Sequence, residues 1–270
     1  MKREYFVTEN SIVRQIWGRS DTVLFIFAGA AAEFALNKSV DWLYFTGRLP
    51  ADPVGRLFST VAYARSIMFS EKQTAMRTID LMNTVHAQVE SNRGAKIPEW
   101  AYRDVLFMLI DYSIRAFEVI EHKLNISEKQ EVFDVFYRLG HRMQIKDLPQ
   151  SYKEWETMRA QQLHQNLNYS EYTRDLFLQY RKHLGWARYL LLTEVQIQIV
   201  PAEVRKRLGF RKVGFLYPVL QLYKLSRMIN LDDAVKALIL PPRYKHAIRA
   251  LDSKENPVSA MRQNFTPAAG

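Results

Sequence analysis

Turn-forming residues are scarce in this chain, with ten Gly and ten Pro spread over 270 residues. An all-β sandwich or barrel needs a turn signal every ten residues or so, so those architectures are excluded and helix is the expected element. The punctuation that does exist falls where helices begin and end. Ser20-Asp21 reads as a cap opening a helix through VLFIFAGAAAEFALNKSVDWLYF that stops at Gly47. Asp52 then serves as N-cap and Pro53 as first helical residue of a helix to about Ser70. The next runs from Ser70-Glu71 to about Ser91 and is closed by Asn92-Arg93-Gly94. A long helix with the apolar middle VLFMLIDYSIRAFEVI spans Trp100 to His122. Capping-box patterns at Ser127-Glu128-Lys129-Gln130 and Ser151-Tyr152-Lys153-Glu154 open two more. Further helices are expected over 171–184, 186–199, 202–208, 213–228 and 231–238, set off by Gly185, Pro201 and Gly209. No repeat and no linker divides the chain, which predicts one all-α domain over 1–251 and a polar, mobile tail over 252–270.

The composition, 48% hydrophobic and 24% charged, is that of a chain with a sizeable core. Cysteine is absent, which removes disulfides, zinc knuckles and thiol nucleophiles and leaves His, carboxylate, Tyr or Met to hold any metal or cofactor. The net charge of +10 is spread along the chain, with no basic run of five and no compact nucleic-acid signature, so no nucleic-acid partner is expected. The same charge permits peripheral contact with an anionic membrane surface. MKREYFVTEN has no apolar signal region, and the most apolar stretch, Val23 to Leu36, is interrupted by Glu33 and falls short of the ~20 residues a spanning helix needs. A cytoplasmic location is the expectation. Within that stretch, Ala28-Gly29-Ala30-Ala31-Ala32 leaves room for another backbone or a flat ligand.

Of the six histidines, five sit among charged or amide residues, as solvated-face residues do. His86 is different: Ala75, Ile79, Met82, His86 and Val89 recur at helical spacing as one apolar stripe. Two roles fit it. It is either a hydrogen-bonded core residue or an axial ligand, for which a lone imidazole in an apolar wall suits a planar haem better than a multi-ligand metal site. On the helix opened by Asp52, Arg56 and Thr60 stand four apart and share a face, and Gly55 withdraws a side chain beside them. Asp111 and Arg115 form another i, i+4 pair, read either as an internal ion pair or as a site where Arg115 meets a cofactor propionate.

The serial order of DPVGR-x₃-T, VHAQV, DVLFMLIDYSIRAFE, LPQSYKEW and PAEVRKRLG, over residues 10–250, resembles the family that groups the mycophenolic-acid oxygenase MpaB with the rubber-cleaving latex clearing proteins. The resemblance implies an all-α, globin-like multi-helix bundle around a haem pocket. It also implies a haem-b-dependent oxygenase that uses dioxygen on a hydrophobic, isoprenoid or alkenyl substrate, with oxidative C=C cleavage as the candidate reaction and a separate redox partner. A haem-dependent hydroxylase or peroxygenase and a non-catalytic haem-binding protein stand as alternatives. Carried over position by position, the iron-ligating histidine falls on His86, and the signature Arg and Thr fall on Arg56 and Thr60, the expected catalytic pair, with Arg56 also at the cofactor. The chain departs from the pattern at Ser59, where the rubber-cleaving branch has Lys. It departs again at Ala28-Gly29-Ala30 and Thr46-Gly47, in neighbourhoods where many members carry histidines. Glu33 and Asp41 are the carboxylates nearest in sequence to the apolar wall and the candidate bases.

Overall fold

The computed structural model describes residues 4–47, 51–215 and 218, with the side chains of Val54 and of residues 56–59 outside the description. The described residues form eleven helices: α1 Ile12–Trp17, α2 Ser20–Phe34, α3 Val40–Phe45, α4 Pro53–Phe69, α5 Lys72–Arg93, α6 Glu99–Ile120, α7 Ile126–Arg142, α8 Tyr152–Gln165, α9 Glu171–Leu184, α10 Trp186–Ile199 and α11 Ala202–Arg207. Their extended pairing is limited to two isolated bridges, Tyr5 with Glu71 and Asn37 with Leu167. The chain is all-α, as expected. The helices expected over 213–228 and 231–238 and the tail lie outside the described residues, but for 213–215 and 218.

Most helix ends follow local chemistry. The Asp52 carboxylate accepts from the Gly55 amide at 2.9 Å and caps α4, Ser151 caps α8 through the Glu154 amide at 3.2 Å, and Gly94 closes α5 in the left-handed region at φ +68°. Two ends differ from the sequence reading. The cap of α7 is Asn125 with Glu128 as its reciprocal partner, two residues before the expected box. The expected single helix from Ser20 to Gly47 is two, because the chain breaks at Asn37. There the Asn37 side-chain carbonyl accepts from the Ser39 amide at 2.9 Å and hydroxyl at 2.5 Å, forming an Asx turn, and the Leu36 carbonyl accepts from the Asn168 amide at 2.7 Å.

The two most apolar helices, α2 and α6, pack on each other more extensively than any other pair. Around them α1, α4, α5, α7 and α8 contribute to one apolar core. Trp17 is fully buried at its centre, edge-on to Phe27 with centroids 6.0 Å apart, and its indole N–H donates to Ser113 Oγ at 3.1 Å. Each such side chain withdrawn from water contributes about 1.5–3 kcal/mol. A smaller cluster of Ala35, Val40, Leu176 and Tyr180 seats α3 on α9. Within the small-residue stretch of α2, Gly29 meets the ring of Tyr112: a Cβ there would lie 2.3 Å from it. That position is therefore filled by a core aromatic, while Ala30 and Ala31 point to a cavity.

Candidate functional site

Between α2, α4, α5 and α6 lies a cavity of about 770 Å³, within the ~300–1,000 Å³ usual for cofactor and small-molecule sites. Each wall is one helical stripe. From α2 come Phe27, Ala30, Ala31 and Phe34; from α4 come Thr60, Tyr63, Ala64 and Ile67; from α5 come Met82, Val85, His86 and Val89. The first residues of α6, among them Ala101, Tyr102 and Val105, close the fourth side. None of the described lining residues is charged. The lining residues Phe45 and Val105 are also 48% and 40% exposed, so the cavity opens to solvent where α3 faces the start of α6.

The stripe on α5 accounts for this placement of His86. Its first members, Ala75 and Ile79, are fully buried in the core, whereas Met82, His86 and Val89 are half-buried because this end of the helix borders the cavity. The His86 imidazole packs edge-on against Tyr102, with ring centroids 5.2 Å apart and planes at 82°. The Tyr102 hydroxyl in turn donates to Glu90 Oε1 at 3.2 Å, and Glu90 also accepts from the Ile97 amide at 3.0 Å and from Lys96 Nζ at 2.7 Å. Burial and the Glu90 charge push the Tyr102 phenol above its usual range. Burial works to raise Glu90 as well, but Lys96 and the Ile97 amide overcome it and hold the carboxyl below its ordinary value. The ring beside the imidazole is thus a neutral phenol held in place by an ionised carboxylate.

Thr60 lines the cavity on α4. Arg56 falls one turn before it on the same helix, with its side chain outside the described residues, as is that of Ser59. Gly55 is not a space left for a ligand: a Cβ there would lie 2.2 Å from Asp52 Oδ2, so the Asp52 cap occupies that room. Among the other histidines, His122, His141 and His164 are exposed and His183 is half-buried; none of the four lines the cavity. His246 lies outside the described residues. Among the described residues no three His, Asp or Glu side chains are grouped to hold a metal ion, and none of the helices is long and apolar enough to cross a membrane.

Arg115 does not reach the cavity. Its Nε donates to Asp111 Oδ1 at 2.6 Å, the internal ion pair of the two readings. That pair belongs to a charged knot on the far side of α2 and α6. Arg159 of α8 donates to both Glu33 oxygens, at 2.5 and 2.6 Å, and to Asp111 Oδ2 at 3.0 Å from Nε and 2.9 Å from Nη2. The Tyr112 hydroxyl adds a bond to Glu33 Oε2 at 2.9 Å. Two carboxylates face two guanidinium groups, so the knot is neutral. Burial disfavours the Arg159 charge, but Glu33 and Asp111 hold it protonated, well above its ordinary range. Burial likewise works to raise Asp111, and Arg159 with Arg115 hold it low. Glu33 is committed to this knot, and Asp41 accepts from Arg93 Nη2 at 2.7 Å; neither candidate base lines the cavity.

Sequence reasoning missed Arg159, Tyr102 and Arg93. For Arg93 a signal was present, since it continues the stripe of Met82, His86 and Val89 by one more step.

No curated protein and no solved structure matches the chain. A family model does, over residues 14–228: the catalytic domain of the ER-bound oxygenase mpaB/B′ and rubber oxygenase. The match runs from within α1 past the end of α11 and so takes in every helix that walls the cavity, including those that carry Thr60 and His86. The chain therefore belongs to the mpaB/rubber oxygenase catalytic-domain family, a family of oxygenases.

Proposed function

We propose that this protein is a haem-b-dependent oxygenase that uses dioxygen on a hydrophobic substrate, isoprenoid or alkenyl, with C=C cleavage as the reaction class. The observation that carries the reading is a single imidazole, His86, set in the wall of an apolar cavity of about 770 Å³ in a chain of an oxygenase family. The residues present fit the group. A neutral imidazole is the usual protein ligand of a b-type haem, and Ala30 and Ala31 are small lining residues that leave room for a flat macrocycle. When bound, haem supplies the iron centre for dioxygen chemistry, and the rest falls to the chain.

His86 would hold the group, its ring orientation fixed by the edge contact with Tyr102. Phe27, Phe34, Leu109 and the other apolar lining residues exclude water and take up a hydrophobic substrate by its surface rather than by hydrogen bonds. Thr60 and Tyr63 bring hydroxyl-bearing side chains to the α4 wall, where Thr60 would help to orient a small polar ligand. A non-catalytic haem-binding role is the second reading, favoured by the absence of a second imidazole among the described lining residues. The test is a pyridine-haemochrome assay on the purified chain followed by product analysis with alkenyl substrates under dioxygen. One haem b per chain and oxygen-dependent product are expected. Haem without turnover selects the second reading, and a colourless protein that stays colourless after incubation with hemin contradicts both.

A further inference from the structure

The cavity wall carries a buried hydroxyl that has no hydrogen-bond partner among the described residues. It belongs to Tyr180 of α9, which lines the cavity and is 6% exposed. The ring is fixed by its packing with Ala35, Val40 and Leu176 and lies edge-on to Phe177, with centroids 5.8 Å apart and planes at 83°. Burial alone pushes the phenol above its ordinary range, with no bond or charge contributing. Its oxygen is nevertheless not sealed within protein as the buried unpartnered atoms of this chain are. In a side chain so buried, the surface the oxygen keeps is cavity surface. Other polar lining residues are committed. Ser39 Oγ donates to Asn37 Oδ1 at 2.5 Å, Thr46 Oγ1 to the Leu43 carbonyl at 2.8 Å, Gln88 Nε2 to Asn92 Oδ1 at 2.8 Å and Tyr102 to Glu90 at 3.2 Å. Tyr44 and Tyr112, outside the lining, donate to Asp175 at 2.8 Å and Glu33 at 2.9 Å.

We propose that Tyr180 donates a hydrogen bond to an alcohol or carbonyl oxygen of the substrate, and so selects an oxygen-bearing hydrophobic molecule over a plain hydrocarbon. The inference rests on the reading of this cavity as a substrate site and names the substrate class. A donor held in an apolar space bonds to an oxygen function and is left unpaired by a hydrocarbon, which is how a site tells the two apart. Burial disfavours the phenolate, so the group stays a neutral donor. It offers one bond and no charge, which suits an alcohol or carbonyl. A carboxylate would need a cation beside it, and none of the described lining residues is one. In a purely structural role, phenylalanine would fill the same cluster without placing a donor in the cavity.

The full-length chain is titrated with farnesol and with farnesene, which share a carbon skeleton and differ in the hydroxyl, followed by tryptophan fluorescence, to which the lining residue Trp42 contributes. Wild type is compared with Tyr180→Phe and with Tyr44→Phe on the adjacent α3. Tyr180→Phe should lower farnesol affinity about tenfold and leave farnesene affinity unchanged, while Tyr44→Phe binds both as wild type does. Without ligand, the urea midpoint of Tyr180→Phe should not fall, because the hydroxyl removed has no partner. A lowered midpoint would show the hydroxyl bonded within the fold and overturns the inference. Equal changes for the two ligands, no change for either, or no binding of either to wild type also overturns it. Each protein is titrated with hemin in parallel. Weaker hemin binding in Tyr180→Phe with farnesol binding unaltered gives the hydroxyl to the cofactor and overturns the inference as well. Discrimination through Tyr180 in a chain that binds no hemin leaves the inference standing and sinks the haem reading, and His86-dependent hemin binding without that discrimination does the reverse.

Discussion

The two faces of the α2–α6 pair are opposites. One carries the buried knot of Glu33, Asp111, Tyr112 and Arg159, hydrogen-bonded throughout and made charge-neutral by the partly exposed Arg115. The other, a residue or two along the same helices, borders an apolar cavity with no charged side chain among its described lining residues and a single imidazole in its wall. The polar face is closed and complete, so its chemistry is spent on holding three helices together. The apolar face encloses room for a bound group, whose binding would add to stability. Perturbed titrations do not separate the two faces, because Arg159 and Asp111 of the knot and Tyr102 and Tyr180 of the cavity wall are all shifted.

Breaking the knot should have the largest effect on stability. Arg159→Leu leaves Glu33 buried without a guanidinium and Asp111 with Arg115 alone, and a loss of about 3–5 kcal/mol is expected in urea unfolding. A loss below about 1 kcal/mol would show that the knot does not hold the bundle together. Next is a pair of substitutions on α2. Gly29→Ala drives a methyl into the Tyr112 ring and should cost about 1–3 kcal/mol. Its neighbour Ala30→Val grows into the cavity, should cost under about 1 kcal/mol and should weaken ligand binding instead. Equal costs at the two positions would erase the distinction between the packed position and the cavity wall.

A smaller, pH-dependent effect belongs to Asp104, which accepts from Asn37 Nδ2 at 2.9 Å and from Asn166 Nδ2 at 2.9 Å. Burial pushes its carboxyl up to about 6, with the two amides pulling it partly back. Between pH 6 and about 4 the folded chain therefore holds a proton that the unfolded chain has released, so stability rises as pH falls through that window. Wild type should gain about 1 kcal/mol relative to Asp104→Asn between pH 7 and pH 5. Asp111, held low, opposes this only at more acid pH, where its stabilising charge is lost. A flat difference between the two proteins across that range would contradict the assignment.

What was legible in the sequence was local. The Asp52 cap, the Gly94 stop and the α5 stripe depend on residues within a few positions of one another, and each is found where the pattern put it. The stripe also picked out His86 as the histidine on the apolar face. Long-range contacts were not legible. The break at Asn37 is fixed by Asp104 and Asn168, and the roles of Glu33 and Asp111 by Arg159, which lies 126 and 48 residues away. Asp111–Arg115, four residues apart, could be read; that Asp111 is shared with Arg159 could not. Gly55 misled because a glycine records only that a side chain is missing, and here the space belongs to the cap.

In the ligand-free chain, His86→Ala should change stability least of all, by under about 1 kcal/mol, since the ring is half-buried beside an open cavity. In the presence of hemin the same substitution becomes the most direct measurement of what the cavity is for. Titrating wild type and His86→Ala with hemin should give saturable binding of one equivalent to wild type. The variant should lose most of that binding and recover it with added imidazole, while His122→Ala, His141→Ala and His164→Ala bind as wild type does. Hemin binding to His86→Ala with wild-type affinity and an unaltered spectrum would contradict the assignment of this imidazole, and of this cavity, to a haem.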